Sequence, residues 1–344
     1  MEHYNEREII PEISRELLEQ ELTSERFVGK TNNGGNLLYI FSGADAPHLM
    51  REVGRLREIA FRHAGGGTGE EVDIDHFDTC ENCYQQLIVW DPDSKEILGG
   101  YRYKICDENT IDKDGNIQLS TAELFNFSKK FQEEYLPNMI ELGRSFVQPS
   151  YQSTRRIRKG IYALDNLWDG LGAILVKNPE KKYFFGKVTM YTSYNVQARN
   201  YLLYFLDKYF ADTDMLITPI IPMEMNMNFD EMNRVFEGNH YAEDYKILKK
   251  SVRSLGEIIP PLINSYMDLS ATMKVFGTAI NPHFGGVEET AILVTILDIY
   301  KEKVDRHIIS FDPKYWINRL KHTHITIKRP HIHLLPRRKR HDLT

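Results

Sequence analysis

The chain reads as a mixed α/β protein, a central sheet flanked by helices, and three observations point there. Apolar runs of strand character alternate with stretches of helical spacing through most of the 344 residues. Two strand-like runs, 84–92 and 97–107, are joined by a short charged turn, so a hairpin interrupts any strict strand–helix repeat. The apolar run MIELGRSFVQP (139–149) carries Glu141 and Arg144 three residues apart, a costly placement inside a sheet unless the charges are paired or used.

The elements follow in order. Residues 1–35 read as a helical preface, with IIPEISRELLEQEL at helical spacing and TNNGGN (31–36) as its breaker. NLLYIFSG (36–43) is a strand, and 46–64 an amphipathic helix stopped by GGGTG (65–69). The acidic loop EEVDIDHFD leads into the hairpin, and TAELFNFSKKFQEEYL (121–136) is expected to be a helix. The central strand 139–151 precedes a helix at 161–178 with Gly170 and Gly172 inside it, a strand at 183–191 and a helix at 195–211. Further on, DMLITPIIPM reads as a strand broken by prolines, 242–256 and 260–271 as helical, and 274–299 as two short strands around a turn. These runs divide the chain into an N-terminal helical extension (1–35), a core (36–215), a C-terminal α/β part that completes or extends the same sheet (216–327) and a basic tail (328–344).

Composition narrows the class. Hydrophobic residues make up 42% and charged residues 27%, ordinary for a soluble globular protein. A net charge of −6 argues against a general nucleic-acid binder. The tail is the local exception, with Lys328, Arg329, Arg337, Arg338, Lys339 and Arg340 against Asp342 alone. Three cysteines fit a reducing compartment, and the N-terminus has no apolar signal core. The expectation is a cytoplasmic protein that meets the inner membrane face peripherally through its tail, where anionic headgroups attract basic segments.

Several motifs recur in a fixed order: Arg57 and Phe61 in RLREIAF, Asp75 and Asp78 in DIDHFD, GGYR ending at Arg102, Leu124 and Phe125 in AELF, and Glu141 and Arg144 in ELGRSFV. PPLINSY (260–266) and FGGVEE (284–289) follow downstream. Over residues 37–300 this series resembles the GNAT acyltransferases. It is similar above all to the acyl-carrier-protein-dependent ornithine and glycine N-acyltransferases of bacterial aminolipid synthesis, the haemolysin-like family, and more distantly to acyl-homoserine-lactone synthases. The resemblance implies a GNAT-like sheet with a C-terminal α/β extension, and transfer of a long, optionally 3-hydroxylated acyl chain to the α-amine of a small amino acid, glycine or ornithine. It implies no permanently bound cofactor; the donor is acyl carrier protein with its 4′-phosphopantetheine thioester. QSTRRIRKG (152–160) keeps only Gly160 where GNAT pyrophosphate loops are glycine-rich, which fits a carrier-protein donor better than coenzyme A.

Such a transfer needs a neutral amine, a donor for the charge developing on the thioester carbonyl and a cation for the substrate carboxylate. Glu141 is the candidate for taking the amine proton, directly or through water; an ion pair with Arg144 or Arg102 is the competing reading. Arg144 and Arg102 are candidates to clamp the carboxylate, or to brace the acidic loop. Asp75 and Asp78 either hold the amine or fix that loop. Arg57 and Phe61, one helical turn apart, are candidates to face the sheet. By resemblance, a backbone amide near Phe146 or Val147 polarises the carbonyl, and Arg155, Arg156, Arg158 and Lys159 form the landing patch for the acidic carrier and its phosphate. Phe184, Phe185, Met190, Tyr204 and Phe205 could contribute to an acyl groove, but at these spacings they read more readily as core and are not assigned to it.

Cys80 and Cys83 form a lone CxxC, and His322, His324, His331 and His333 two HxH pairs; neither makes a convincing zinc site, and no metal is expected. No nucleophile-elbow pattern is present, so attack within a ternary complex is expected rather than an acyl-enzyme. Two alternatives stay open: a signal synthase of the homoserine-lactone type, and a catalytically silent scaffold that binds acyl carrier protein or membrane.

Overall fold

The computed structural model of the chain describes residues 6–152, 162–224, 226–238, 240–315, 317 and 319. Its strands are β1 (Phe27–Lys30), β2 (Leu37–Ser42), β3 (Gln85–Asp91), β4 (Glu96–Ile105), β5 (Phe125–Phe127), β6 (Met139–Val147), β7 (Tyr183–Met190), β8 (Ile217–Pro219), β9 (Lys274–Asn281) and β10 (Val287–Thr295). Its α-helices are α1 (Arg15–Glu21), α2 (Pro47–Ala64), α3 (His76–Thr79), α4 (Pro149–Gln152), α5 (Ala163–Lys177), α6 (Val196–Phe210), α7 (Phe229–Val235), α8 (Tyr241–Ser254), α9 (Pro261–Met267) and α10 (Lys301–His307). Eight strands form one sheet in the order β1-β2-β3-β4-β6-β7-β10-β9, and β5 pairs with β8 in a separate ribbon. This is a large mixed sheet flanked by helices, and the last third of the chain joins it through β9 and β10.

Alternation of side chains gives the sheet two apolar faces. Phe41, Ile88, Trp90, Ile97 and Phe146 point toward α2, where Leu49, Val53, Leu56 and Phe61 cover them. Leu38, Leu87, Val89, Leu98, Ile140, Val188, Ile292 and Val294 point the other way, against α5 and α6. Every neighbouring pair in the sheet is antiparallel except β6 and β7. That parallel pairing covers only Met139–Leu142 against Tyr183–Gly186. Beyond it β6 stays on β4 as far as Val147, and β7 stays on β10 as far as Met190. Each strand is held by its outer neighbour while the inner edges separate.

Two stretches differ from the sequence reading. The helix expected over 121–136 does not form. Ser120–Glu123 is a tight turn, Phe125 and Phe127 of β5 alternate with exposed Asn126, and a wide helical turn covers Phe131–Tyr135. The period-two burial of FNF, with Leu216 and Ile217 to pack against, outweighs the helical spacing of its neighbours. Among the described residues the helical preface holds one short helix, α1; β1 then pairs antiparallel with β2 at the edge of the sheet.

TNNGGN does more than break a helix. Asn32 donates its backbone N–H to Asp169 Oδ2 (2.9 Å), and Asn36 donates to Asn166 (2.8 Å), so the turn grips α5. Asp169 also meets His307 Nδ1 at 2.8 Å, which fastens α10 to the same helix. Gly172 is what lets α10 come so close: a Cβ there would lie 1.6 Å from the carbonyl oxygen of His307. Gly172→Ala should therefore destabilise the protein by about 1–3 kcal/mol, read as a lower urea midpoint with the slope unchanged. An unchanged midpoint would show that α5 and α10 can part without cost.

Candidate active site

The charged residues in the β-rich segments gather into one buried network. Arg57, on α2, points toward the sheet and meets Asp78 at 3.2 Å and Gln86 of β3, all of them buried. Arg102 of β4 donates to Asp75 (2.6 Å) and Asp78 (3.0 Å) and lies over the ring of Tyr84. Asp75 and Asp78 close a capping box around the short helix α3, which fixes the acidic loop locally before any cation reaches it. Burial alone would raise the Asp78 carboxyl, but Arg57 and Arg102 outweigh it and hold the group well below its ordinary 3.8. Burial likewise works against the charge on Arg102, yet Asp78 and Asp75 keep it protonated more firmly than usual.

Arg144 sits on a bulge. Gly100 faces Phe146 and Arg102 faces Gly143, so Arg144 and Ser145 together stand opposite one residue of β4. Arg144 takes a positive φ of 50°, unusual for a residue with a side chain. Its side chain is held there by three contacts: its Nε meets Asp73 at 2.9 Å, its Nη2 meets Asp75 at 3.5 Å, and its guanidinium lies 4.6 Å from the ring centre of Phe284. Asp73 is fully buried, and burial pushes its carboxyl up despite Arg144 and Arg57.

Glu141 lies in the same strand but is closed off. It accepts hydrogen bonds from the Tyr84 hydroxyl and from the backbone N–H of Thr121 (3.1 Å), and Tyr84 in turn accepts from the backbone of Ser120 (2.9 Å). Burial raises the Glu141 carboxyl, and these hydrogen bonds pull it only partly back.

The separation of β6 from β7 opens a cleft of about 280 Å³. Its lining changes character across the sheet. On the α5 side are Tyr101, Leu142, Leu164, Leu167, Trp168 and Leu171, with Pro261 and Tyr266 from α9. On the α2 side are Arg144, Phe61, Phe284 and Tyr191, with Lys187, Thr189 and Glu289 on the far wall. Lys187 and Thr189 alternate with Val188, which packs toward α5, and Glu289 shares its face with Ala291 and Leu293; these polar groups therefore belong to the α2 side.

Of the residues and motifs picked out from sequence, Arg144 and Phe61 line the cleft, together with Pro260, Pro261, Leu262 and Tyr266 of PPLINSY and Phe284 and Glu289 of FGGVEE. Arg57, Arg102, Asp75 and Asp78 form the support behind it, with Arg102 on the acidic loop rather than in the opening. Glu141, expected to take the amine proton directly or through water, is fully buried, bonds to Tyr84 and Thr121 and does not itself line the cleft. Phe146 packs in the core under α2, and Val147 ends β6 opposite Gly99. Phe184 and Phe185 are core residues. Arg155, Arg156, Arg158 and Lys159, the paired histidines and the basic tail lie outside the described residues. Among the described residues no three His, Cys, Asp or Glu side chains gather to hold a metal ion, and no helix is long and apolar enough to cross a membrane.

Sequence reasoning assigned no role to Tyr84, Gln86, Lys187, Thr189 and Glu289. A signal existed for two of them: Lys187 is the one charge inside YFFGKVTMY, and Glu289 closes FGGVEE. Asp73 was visible only as one more carboxylate in an acidic stretch.

The network sets a test. Asp78→Asn leaves two buried guanidinium groups short of a partner and should cost about 3–5 kcal/mol at pH 7 in urea denaturation. Asp78 is depressed when folded and ordinary when unfolded, so its contribution is present above its ordinary 3.8 and is lost as pH falls toward the folded value. The gap between wild type and variant should shrink below that pH; a gap that stays constant down to acid unfolding would assign the stabilisation elsewhere.

Comparison with known proteins agrees with this geometry. Residues 56–160, which span the whole Arg57-to-Arg144 network, match the acetyltransferase (GNAT) domain family. A glycine N(alpha)-acyltransferase of Phocaeicola vulgatus is 54% identical over 304 residues, 88% of this chain and 93% of that protein. Its namesake in Bacteroides thetaiotaomicron is 54% identical over 304 residues, 88% of this chain and 90% of that one. No solved structure matches. With a buried network inside the matched domain and relatives alike over nearly their full length, the chain belongs to the GNAT acyltransferases and is an acyltransferase.

Proposed function

We propose that the protein acylates the α-amine of glycine with a long, optionally 3-hydroxylated acyl chain delivered by acyl carrier protein, making a lyso-aminolipid. The observation that carries this reading is the cleft through the sheet, apolar toward α5 and charged toward α2. An acyl donor and a zwitterionic acceptor need those two environments, meeting at one point. The acceptor is chosen on two supports. Both relatives are named for glycine. Glu289 is the one carboxylate among the described lining residues, which leaves no second acid for the side-chain ammonium of ornithine.

In this reading the phosphopantetheine arm enters where β6 and β7 diverge, bonding to backbone as an added strand does. The acyl chain lies against Leu164, Leu167, Trp168 and Leu171. Glycine sits on the other face, with its carboxylate on Arg144, whose position Asp73 and Asp75 hold. The attacking nitrogen forms the C–N bond as the C–S bond breaks. A main-chain amide near Phe146 or Val147 stabilises the oxyanion between those events, in a site where fixed dipoles need no rearrangement. Glu141 serves as a positioning residue that ties β6 to Tyr84 and the turn at Ser120. Arg155, Arg156, Arg158 and Lys159 remain the proposed landing patch for the acidic carrier, and the tail the proposed contact with anionic lipid.

The test is a mass-spectrometric assay of the purified protein with 3-hydroxypalmitoyl carrier protein and a pool of amino acids. N-acylglycine is the expected product, and Arg144→Ala should lower kcat/KM for glycine by about 10- to 100-fold, the loss of one charge-assisted contact. No N-acyl amino acid from a folded, carrier-binding protein would overturn the reading. On the apolar wall, Leu171→Phe should shift the preferred donor to a shorter chain in a competition between acyl lengths, because the added ring occupies the volume next to Trp168. An unchanged length profile would move the acyl chain elsewhere.

A further inference from the structure

The proton that leaves the acceptor amine needs an acceptor within reach of the cleft, and the carboxylate that lines it is Glu289, not Glu141. From the lining we infer that Glu289 of β10 receives the ammonium of the acceptor and takes its proton. This rests on the amino-acid acceptor proposed above.

Glu289 is almost fully buried, yet it lines the cleft on the wall opposite Arg144. Its carboxylate is held from three sides. Lys187 Nζ and Asn281 Nδ2 (3.2 Å) donate to Oε2, and Thr189 Oγ1 donates to Oε1 (3.2 Å). A carboxylate offers about four acceptor positions, so one remains for a substrate N–H. A purely structural role for Glu289 would be to tie β7 to β10. Those strands are already joined by eight consecutive register pairs, from Glu288–Met190 to Thr295–Tyr183. A buried charged pair adds little to such a ladder and costs desolvation on both partners.

The placement also fits the charge of the acceptor. An α-amino acid is a zwitterion, and Arg144 and Glu289 offer opposite charges from facing walls. Lys187, beside Glu289, disfavours a second cation and so favours the neutral amine. The proton balance closes. The ammonium gives one proton to Glu289, which passes it to solvent. The neutral amine attacks the thioester carbonyl, and the tetrahedral intermediate loses its second N–H proton to the departing thiolate. The products are amide, thiol and one released proton.

Aminooxyacetate separates catalysis from binding, because it keeps a carboxylate like that of glycine while its amino group is already neutral at pH 7. Glu289→Gln should lower kcat for glycine by at least about 100-fold, the usual contribution of a general base, while transfer to aminooxyacetate stays within a few-fold of wild type. If Glu289→Gln does not fold, judged by its thermal transition, Glu289→Asp takes its place and should show the same split between the two acceptors. Equal losses on both acceptors, or a loss on neither, would overturn the assignment. Absence of N-acylglycine from the wild type would instead remove the function proposed above, and this assignment with it.

Discussion

Everything in this molecule that concerns chemistry depends on β6 and β7 parting after Leu142 and Gly186. A parallel pair in the middle of an eight-stranded sheet would ordinarily remain closed, because each open edge leaves backbone groups to be satisfied elsewhere. Here the cost is contained. β4 holds β6 and β10 holds β7 along their outer edges, so the sheet opens at one seam without losing either half. The seam then joins two environments that the sheet would otherwise keep apart, the aliphatic layer under α5 and the charged layer under α2.

The charged layer has two parts with different partners. On the β4–β6 side, Arg57, Arg102 and Arg144 are matched by Asp73, Asp75 and Asp78, and the capping box on α3 orders the acidic residues from within their own loop. This part spends its charges largely on itself, and its product is the posture of Arg144 on a strained bulge. On the β7–β10 side, Lys187, Thr189 and Asn281 converge on a single carboxylate. The walls of the cleft are thus unlike: one presents a cation backed by acids, the other an acid backed by donors.

The sheet was legible because its strands obey simple alternation, and the first of the two charged parts was legible because Glu141, Arg144 and Arg102 interrupt apolar runs where charge is conspicuous. Their order along the chain carried the family resemblance. What sequence could not supply was which charge faces where. Glu141 and Arg144 are three residues apart, and on a regular strand that spacing puts them on opposite faces; the bulge at Arg144–Ser145 changes the count. Glu289 was hidden for a different reason. It is significant only because β10, more than a hundred residues later in sequence than β6, lies one strand beyond β7. The segment 121–136 misled because its ends carry helical spacing while its middle, FNF, pairs with residues 217–219, a partner that no local pattern reveals.

Asp169 has a consequence for the order in which the molecule comes together. Its contacts reach back 137 residues to Asn32 and forward 138 to His307. Contacts of such span form after local ones, since large loops must close before they are made. During synthesis the helix bearing Leu164, Leu167, Trp168 and Leu171 can lie on β3 and β4 early, but its final seat waits for residue 307 to emerge. The apolar wall of the cleft therefore takes its final position only once residues on both sides of it, 137 earlier and 138 later in sequence, have reached Asp169.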